Sequence, residues 1–247
     1  MLDSLPWWIS GLIALLFALI HVCAGKLKFL DTTPRSRWLS LGGGISVAYV
    51  FVHVLPDLSA AQREFQYEVS ALEALEHHVY LLAMLGMLAF YGLERTAKAS
   101  RQESQQQGEG DNTQPGVFWL HMVSFSLYNM LIGYLLTHRE EVGLRGLILY
   151  AIAMAVHFVV NDFSLNEDHK RAYRKLGRWI LSGAIVFGWV LGTRITLSQA
   201  ATASLFGLLA GSIVLNVLKE ELPEARESRF FTFALGAVGY AGLLLAL

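Results

Sequence analysis

The chain has 247 residues, of which 54% are hydrophobic and only 16% are charged. Soluble globular domains carry about 25% charged residues, so this composition excludes that class and predicts a membrane protein. The 19 basic and 20 acidic residues nearly cancel, which gives no reason to expect a nucleic-acid partner. The single cysteine, Cys23, cannot form an internal disulfide.

Apolar segments long enough to cross a bilayer follow one another along the chain. A hydrocarbon core of about 30 Å requires roughly 20 apolar residues in a helix. Eight segments qualify as predicted membrane helices, at about 6–24, 38–56, 78–93, 117–136, 144–163, 177–193, 200–218 and 230–247. We therefore predict an all-α integral membrane protein with eight transmembrane helices, forming a single domain over residues 1–247 with the lipid bilayer as its partner.

The basic residues alternate between the connections of these helices. Four alternate connections hold 15 of the 19 basic residues. These are Lys26, Lys28, Arg35, Arg37, Arg95, Lys98, Arg101, Lys170, Arg171, Arg174, Lys175, Arg178, Lys219, Arg226 and Arg229. The positive-inside rule places these connections in the cytoplasm and both termini outside. We expect the protein in the plasma (inner) membrane.

One stretch, Ser100–Pro115, is polar and rich in Gln and Gly. Such a composition predicts a flexible cytoplasmic loop, over about 97–116, between the third and fourth predicted helices. A passive tether and a regulatory segment are both compatible with it.

Two helices share a sequence pattern that indicates an internal repeat. The second predicted helix runs from Gly44 through eleven residues to Pro56 and an acid, and the seventh runs from Gly211 through eleven residues to Pro223 and an acid. With the predicted topology, the first motif ends at the outer surface and the second at the inner surface. This arrangement is typical of the inverted repeats of alternating-access carriers, here in a 3+2+3 order.

Polar residues within the fourth and fifth predicted helices are candidates for an ion path. His157 and Asn161 are four residues apart and share one helical face, with Asp162 turned by about 100°. Asn129 lies in the fourth helix and could supply a carbonyl oxygen. Polar groups at this depth are costly unless they face a bundle interior, a water path or an ion. His21, in the first helix, is interpreted as an interhelical hydrogen-bonding residue.

Further polar residues stand near the ends of the repeated helices. His53 and Asp57 are candidates for an entrance, and Glu220 and Glu221 for an exit. For the two glutamates, a solvated helix end is an equally good interpretation. Imidazole, amide and carboxylate groups together suit Zn²⁺, Mn²⁺ or Fe²⁺.

The chain resembles the ZIP (Zrt/Irt-like) family of metal transporters. FVHVLPDL within Gly44–Leu58 resembles the family's second-helix ending, and AGSIVLNVLKEELPE over Ala210–Glu224 resembles the seventh-helix pattern AGxxLYxxxxExxPE. The resemblance implies eight helices in an inverted 3+2+3 repeat, both termini outside and a variable loop between helices 3 and 4.

The metal-binding helices depart from the family pattern. The family's fourth helix carries HNxPEG or HNxxDG, whereas this chain keeps only the Asn129 and the Gly133 of it. Its fifth helix carries HExPxE or HExPHE, of which His157 and a shorter final acid, Asp162, are kept. The resemblance implies that His157 and Asn129 are metal ligands, with Asn161 at the ligand position one turn on. With one nearby acid, a site for two dications would lack countercharge.

We therefore expect a secondary carrier or facilitator that moves a divalent cation, of the zinc, iron or manganese class, toward the cytoplasm. The cation is the transported substrate, no cofactor is required, and the protein is not expected to be an enzyme. The alternatives are a non-transporting sensor or partner subunit with a degenerate metal site and, more remotely, a haem or metal-dependent membrane enzyme. A homodimer is compatible with this expectation.

Overall fold

The computed structural model describes residues 7–24, 37–68, 77–108, 110–111, 113–138, 143–221 and 229–246. These residues are almost all helical, and no strand occurs among them. The helices are α1 (Trp7–Ala24), α2 (Arg37–Tyr49), α3 (Leu55–Glu68), α4 (His78–Gln106), α5 (Pro115–Leu135), α6 (Leu144–Ala172), α7 (Arg178–Arg194), α8 (Gln199–Glu221) and α9 (Phe230–Leu245). The predicted all-α class is confirmed.

Several of these helices have the length and apolar character of membrane spans. Four helical stretches meet both criteria: Arg37–Tyr67, Pro115–Leu135, Leu144–Arg194 and Gln199–Lys219. Trp7–Cys23 and Phe230–Leu245 are shorter apolar helices. Each of the eight apolar segments marked in the sequence overlaps a helix. The chain is thus a helical membrane protein, while the number of spans stays a prediction.

Helices continue beyond the apolar segments at several ends. α4 runs to Gln106, so residues 97–106, which the sequence assigned to a flexible loop, form a helix. α3 runs to Glu68 and α6 to Ala172. Hydropathy marks only the part of a helix that suits lipid, whereas Glu, Gln, Lys, Arg and Ala are good helix formers in water.

Two π-helical turns shape the elements near the candidate site. The first turn, Val50–Val54, joins α2 to α3 and ends two residues before Pro56. A proline inside a helix lacks an N–H, and its ring clashes with the preceding helical turn, so regular α-helical hydrogen bonding is interrupted there. The second turn, Tyr173–Gly177, joins α6 to α7. It follows Lys170, whose φ of 41° breaks the helical path of α6. This break brings Tyr173 back toward the bundle interior, where it is buried.

The helices pack in two groups. In the first group, α7 packs extensively against α5 and α1. In the second group, α9 packs against α2, and α8 packs against α4, α3 and α2. α6 lies between the groups, with its backbone near both α1 and α2.

Reciprocal glycine contacts bring α2 and α9 close together. A Cβ atom on Gly44 would lie less than 3.0 Å from the carbonyl oxygen of Phe233, and one on Gly236 would lie less than 3.0 Å from that of Leu41. Each carbonyl belongs to the residue three positions before the other glycine. Small residues of this kind allow helix backbones to approach within a membrane.

The same reciprocal geometry occurs between α4 and α8. Gly211 faces the carbonyl oxygen of Ala83, and Gly86 faces that of Leu208, each too closely for a Cβ atom. Again each carbonyl stands three residues before the other glycine. Gly133 of α5 and Gly188 of α7 form a third pair of this kind in the first group.

Candidate functional site

A buried polar network centred on His21 connects α1, α5, α6 and the second π-helical turn. The Nδ1 atom of His21 lies 2.8 and 2.9 Å from the two carboxyl oxygens of Asp162. Its Nε2 atom lies 2.8 Å from Oδ1 of Asn129. The Tyr173 hydroxyl donates a short hydrogen bond to Oδ1 of Asp162. All four side chains are almost completely buried.

The hydrogen bonds fix the orientation of most groups in this network. Nδ2 of Asn129 donates to the Phe125 carbonyl at 2.8 Å, so its Oδ1 is an acceptor and the Nε2 of His21 must carry a hydrogen. The other ring nitrogen, Nδ1, then shares a proton with Asp162. Burial of these groups is tolerable because each has a partner.

His157 lies beside this network and has a different partner. Its Nε2 atom is 2.7 Å from the hydroxyl of Tyr128. The ring of Phe158 lies near both histidines, with centroid distances of 4.8 Å to His21 and 6.1 Å to His157. Two of the predicted ligands, Asn129 and Asp162, therefore meet through His21, while His157 is bound to a tyrosine.

Asn161 faces a separate small cavity. This cavity of about 20 Å³ is lined by residues of α4, α5, α6 and α8, among them His121, Asp168, Asn216 and Lys219. Its volume is enough for about one water molecule. Within the described residues, no group of three or more His, Cys, Asp or Glu side chains is placed to hold a metal ion. The four predicted ligands have different surroundings: Asn129 and Asp162 bind His21, His157 binds Tyr128, and Asn161 lines the small cavity.

The predicted entrance residues line a larger cavity at the opposite end of α6. Nε2 of His53 lies 3.4 Å from Oδ2 of Asp57, one helical turn away. Both face a cavity of about 330 Å³, together with Glu64 of α3 and His138 beyond α5. The side chains of the predicted exit residues, Glu220 and Glu221, lie outside the described part of the structure.

α6 runs from the larger cavity to the smaller one, and its member of the polar network, Asp162, directly follows Asn161, which lines the smaller cavity. Met154 lines the larger cavity and Asn161 lines the smaller one, and His157 lies between them in the sequence. The 14 residue steps from Met154 to Asp168 correspond to about 21 Å of helix.

Two members of the network were not predicted as site residues. His21 was interpreted as an interhelical hydrogen-bonding residue, and its contacts in the structure are of this type. A histidine in an otherwise apolar helix is the signal that marks it. Tyr173 lies in the basic connection, and only the break at Lys170 returns its side chain to Asp162.

No family model, curated protein or solved structure matches this chain. A carboxylate, an amide oxygen and an imidazole are ligands that divalent zinc, manganese or iron accept.

Proposed function

We propose that this protein is a ZIP-like secondary carrier or facilitator that moves a divalent cation toward the side of its basic connections, the cytoplasm. The observation that carries the proposal is the buried meeting of Asp162, Asn129 and His21. Asp162 belongs to α6, the helix that lines both cavities. Ionisable groups at such depth in a membrane protein are typical of ion pathways.

The glycine contacts support the inverted repeat that the proposal requires. In an inverted 3+2+3 repeat, the second predicted helix is equivalent to the seventh and the third to the eighth. In the structure this makes α2 equivalent to α8 and α4 equivalent to α9. The α2–α9 pair of one half then corresponds to the α8–α4 pair of the other. Gly44 and Gly211, the first residues of the two repeated motifs, make corresponding contacts in these pairs, each with a carbonyl three residues before a partner glycine. Inverted repeats commonly place the transported ion between the halves.

The cation would be bound singly and in part by water. Asp162 supplies one negative charge, and a dication in a low-dielectric site needs compensation. To reach Asp162 and Asn129, the cation must displace the His21 ring, which now occupies both acceptors. We infer that His21 turns and becomes a third ligand, with His157 available one turn away if it leaves Tyr128.

Uptake by proteoliposomes tests the proposal. Purified protein should take up radiolabelled zinc, iron or manganese above empty vesicles. Asp162→Asn should reduce uptake at least tenfold because it removes the only acid of the network. Glu167→Gln, which changes an exposed acid on the same helix, is the matched control and should retain uptake. Absence of uptake for all three metals would refute transport of these cations.

A second candidate is a ZIP-like protein that does not transport, such as a sensor or partner subunit. Its motivation is that His21 and His157 already have protein partners and that the described residues hold no cluster of three such ligands. Two measurements on the purified protein distinguish the two functions: thermal stabilisation by added metal, and metal uptake by proteoliposomes. Stabilisation without uptake favours the sensor, and loss of both effects in His157→Ala and Asn129→Ala favours the carrier.

A further inference from the structure

Four charged residues connect α4, α6 and the segment between α4 and α5. Arg101 of α4 donates from Nη1 to Oδ1 of Asp168 in α6 at 2.8 Å. Its Nε and Nη2 atoms donate to the two carboxyl oxygens of Asp111 at 2.9 and 2.8 Å. Lys170 donates from Nζ to Oδ2 of Asp111 at 2.7 Å. We call these four residues the basic-end latch.

A hydrogen-bonded chain of histidines lies beside the latch. Nε2 of His121 in α5 donates to the Leu93 carbonyl of α4 at 2.9 Å. Nδ1 of a neutral His121 therefore accepts from Nε2 of His169 in α6, at 3.0 Å. Nδ1 of His169 in turn accepts from the Thr113 hydroxyl at 2.5 Å. This chain joins α5 to the elements of the latch, and its two rings cannot both be charged, because the two nitrogens that face each other share one proton.

The latch connects α4, a helix of the second packing group, to α6, which lies between the groups. α4 packs mainly on α8, whereas the polar side chains of α6 bind α1 and α5. Arg101 and Asp168 are 26% and 13% exposed, so their ion pair is better shielded than a fully solvated surface pair. The bidentate pairing of Arg101 with Asp111 adds directional strength.

The cavities at the two ends of α6 differ in volume. The cavity near His53 has about 330 Å³, and the cavity near Asp168 has about 20 Å³. Both lie between α8 on one side and α5 and α6 on the other. The smaller cavity lies at the end that carries the latch, since Asp168 lines it.

We propose that the basic-end latch is a gate that holds the helix groups together at this end and that it must open before an ion can leave there. The segment after α4 is then a working part of the gate rather than a passive tether, because it supplies Asp111. The gate is a property of the helix packing, so it can be tested without any knowledge of the cargo.

Distance measurements between spin labels test the gate on the purified full-length chain. Labels are attached at Gln102→Cys on α4 and Arg174→Cys after α6, both exposed, in a Cys23→Ser background. Double electron–electron resonance then reports the separation at this end. In Arg101→Gln, the ratio of long to short separations should rise about fivefold, the effect expected for losing a partly shielded ion pair.

Lys98→Gln is the matched control, because it removes a positive charge from the same helix but one that pairs with Glu94 within α4. It should leave the distance distribution unchanged. Asp168→Asn is a second latch variant, which nearly preserves the side-chain volume. It tests the gate even if Arg101→Gln does not fold. Identical distributions in both latch variants and the control would overturn the gate. Since no metal is present, this result is independent of whether the protein transports cations.

Discussion

The close glycine contacts make a quantitative prediction about stability. In Gly211→Ala, the new methyl group would collide with the backbone carbonyl of Ala83. A carbonyl within a helix cannot swing aside as a flexible side chain can, so α8 and α4 must separate. Overpacking of this kind costs about 1–3 kcal/mol, occasionally more.

The matched control is Gly183→Ala in α7, where a Cβ atom would meet nothing within 4 Å. There the change replaces a poor helix former by the best one and should stabilise the helix by up to about 1 kcal/mol. The two variants make the same chemical change, so their difference isolates the contact. Because both variants gain this helix propensity, the difference should equal the cost of the contact, about 1–3 kcal/mol in the free energy of unfolding.

The assay is reversible unfolding of the purified protein in mixed detergent micelles, followed by tryptophan fluorescence. Gly44→Ala, at the corresponding contact of α2 with Phe233, should match Gly211→Ala within about 0.5 kcal/mol if the halves are equivalent, a limit comparable to the additivity error of such measurements. Equal stability of Gly211→Ala and Gly183→Ala would refute the close approach of α4 and α8.

Two further predictions concern hydrogen bonds and pH. Tyr173→Phe removes the hydroxyl that binds the buried carboxyl group of α6, and should lower the unfolding free energy by about 1–3 kcal/mol, whereas Tyr91→Phe on an exposed face should change little. Hydrogen bonds from Arg101, then from Lys170, hold the pKa of Asp111 well below its usual range. Because its pKa is lower in the folded state, ionised Asp111 stabilises the latch fully at pH values above the ordinary Asp pKa of about 4. This stabilisation is lost only as the pH falls further, through the lowered pKa. Burial raises the pKa of Asp168, the other latch carboxyl group, so the contribution of Asp111 is isolated in Asp168→Asn. In that variant, label separations at the latch should be the same at pH 7.5 and pH 5, and a change between these values would contradict the assignment.

The helices could be predicted from the sequence because lipid imposes a simple requirement. Apolar runs of adequate length must form helices in a bilayer, and each run marked here overlaps one. The ends were less predictable: α4 continues to Gln106, beyond the apolar residues, because polar helix formers extend it.

The site was predictable only within single helices. The spacing of His157 and Asn161 gives a shared face, but the partner of Asp162 is His21, which is 141 positions away. Spacing carries no information about such neighbours. Tyr173 reaches Asp162 only because the chain turns at Lys170, and a lysine with positive φ has no sequence signal.

The distribution of polar bonds suggests how the bundle would move. The bonds of His21 to Asp162 and Asn129 join α1, α6 and α5, so a shift of these helices as one body would leave the network intact. The Arg101–Asp168 bond joins α4 to α6 and must break in such a shift. The α4–α8 and α2–α9 pairs are held by backbone contacts at glycines, which favours motion of the second group as a unit. The boundary between these bodies therefore passes through the two cavities, where a cation would need it.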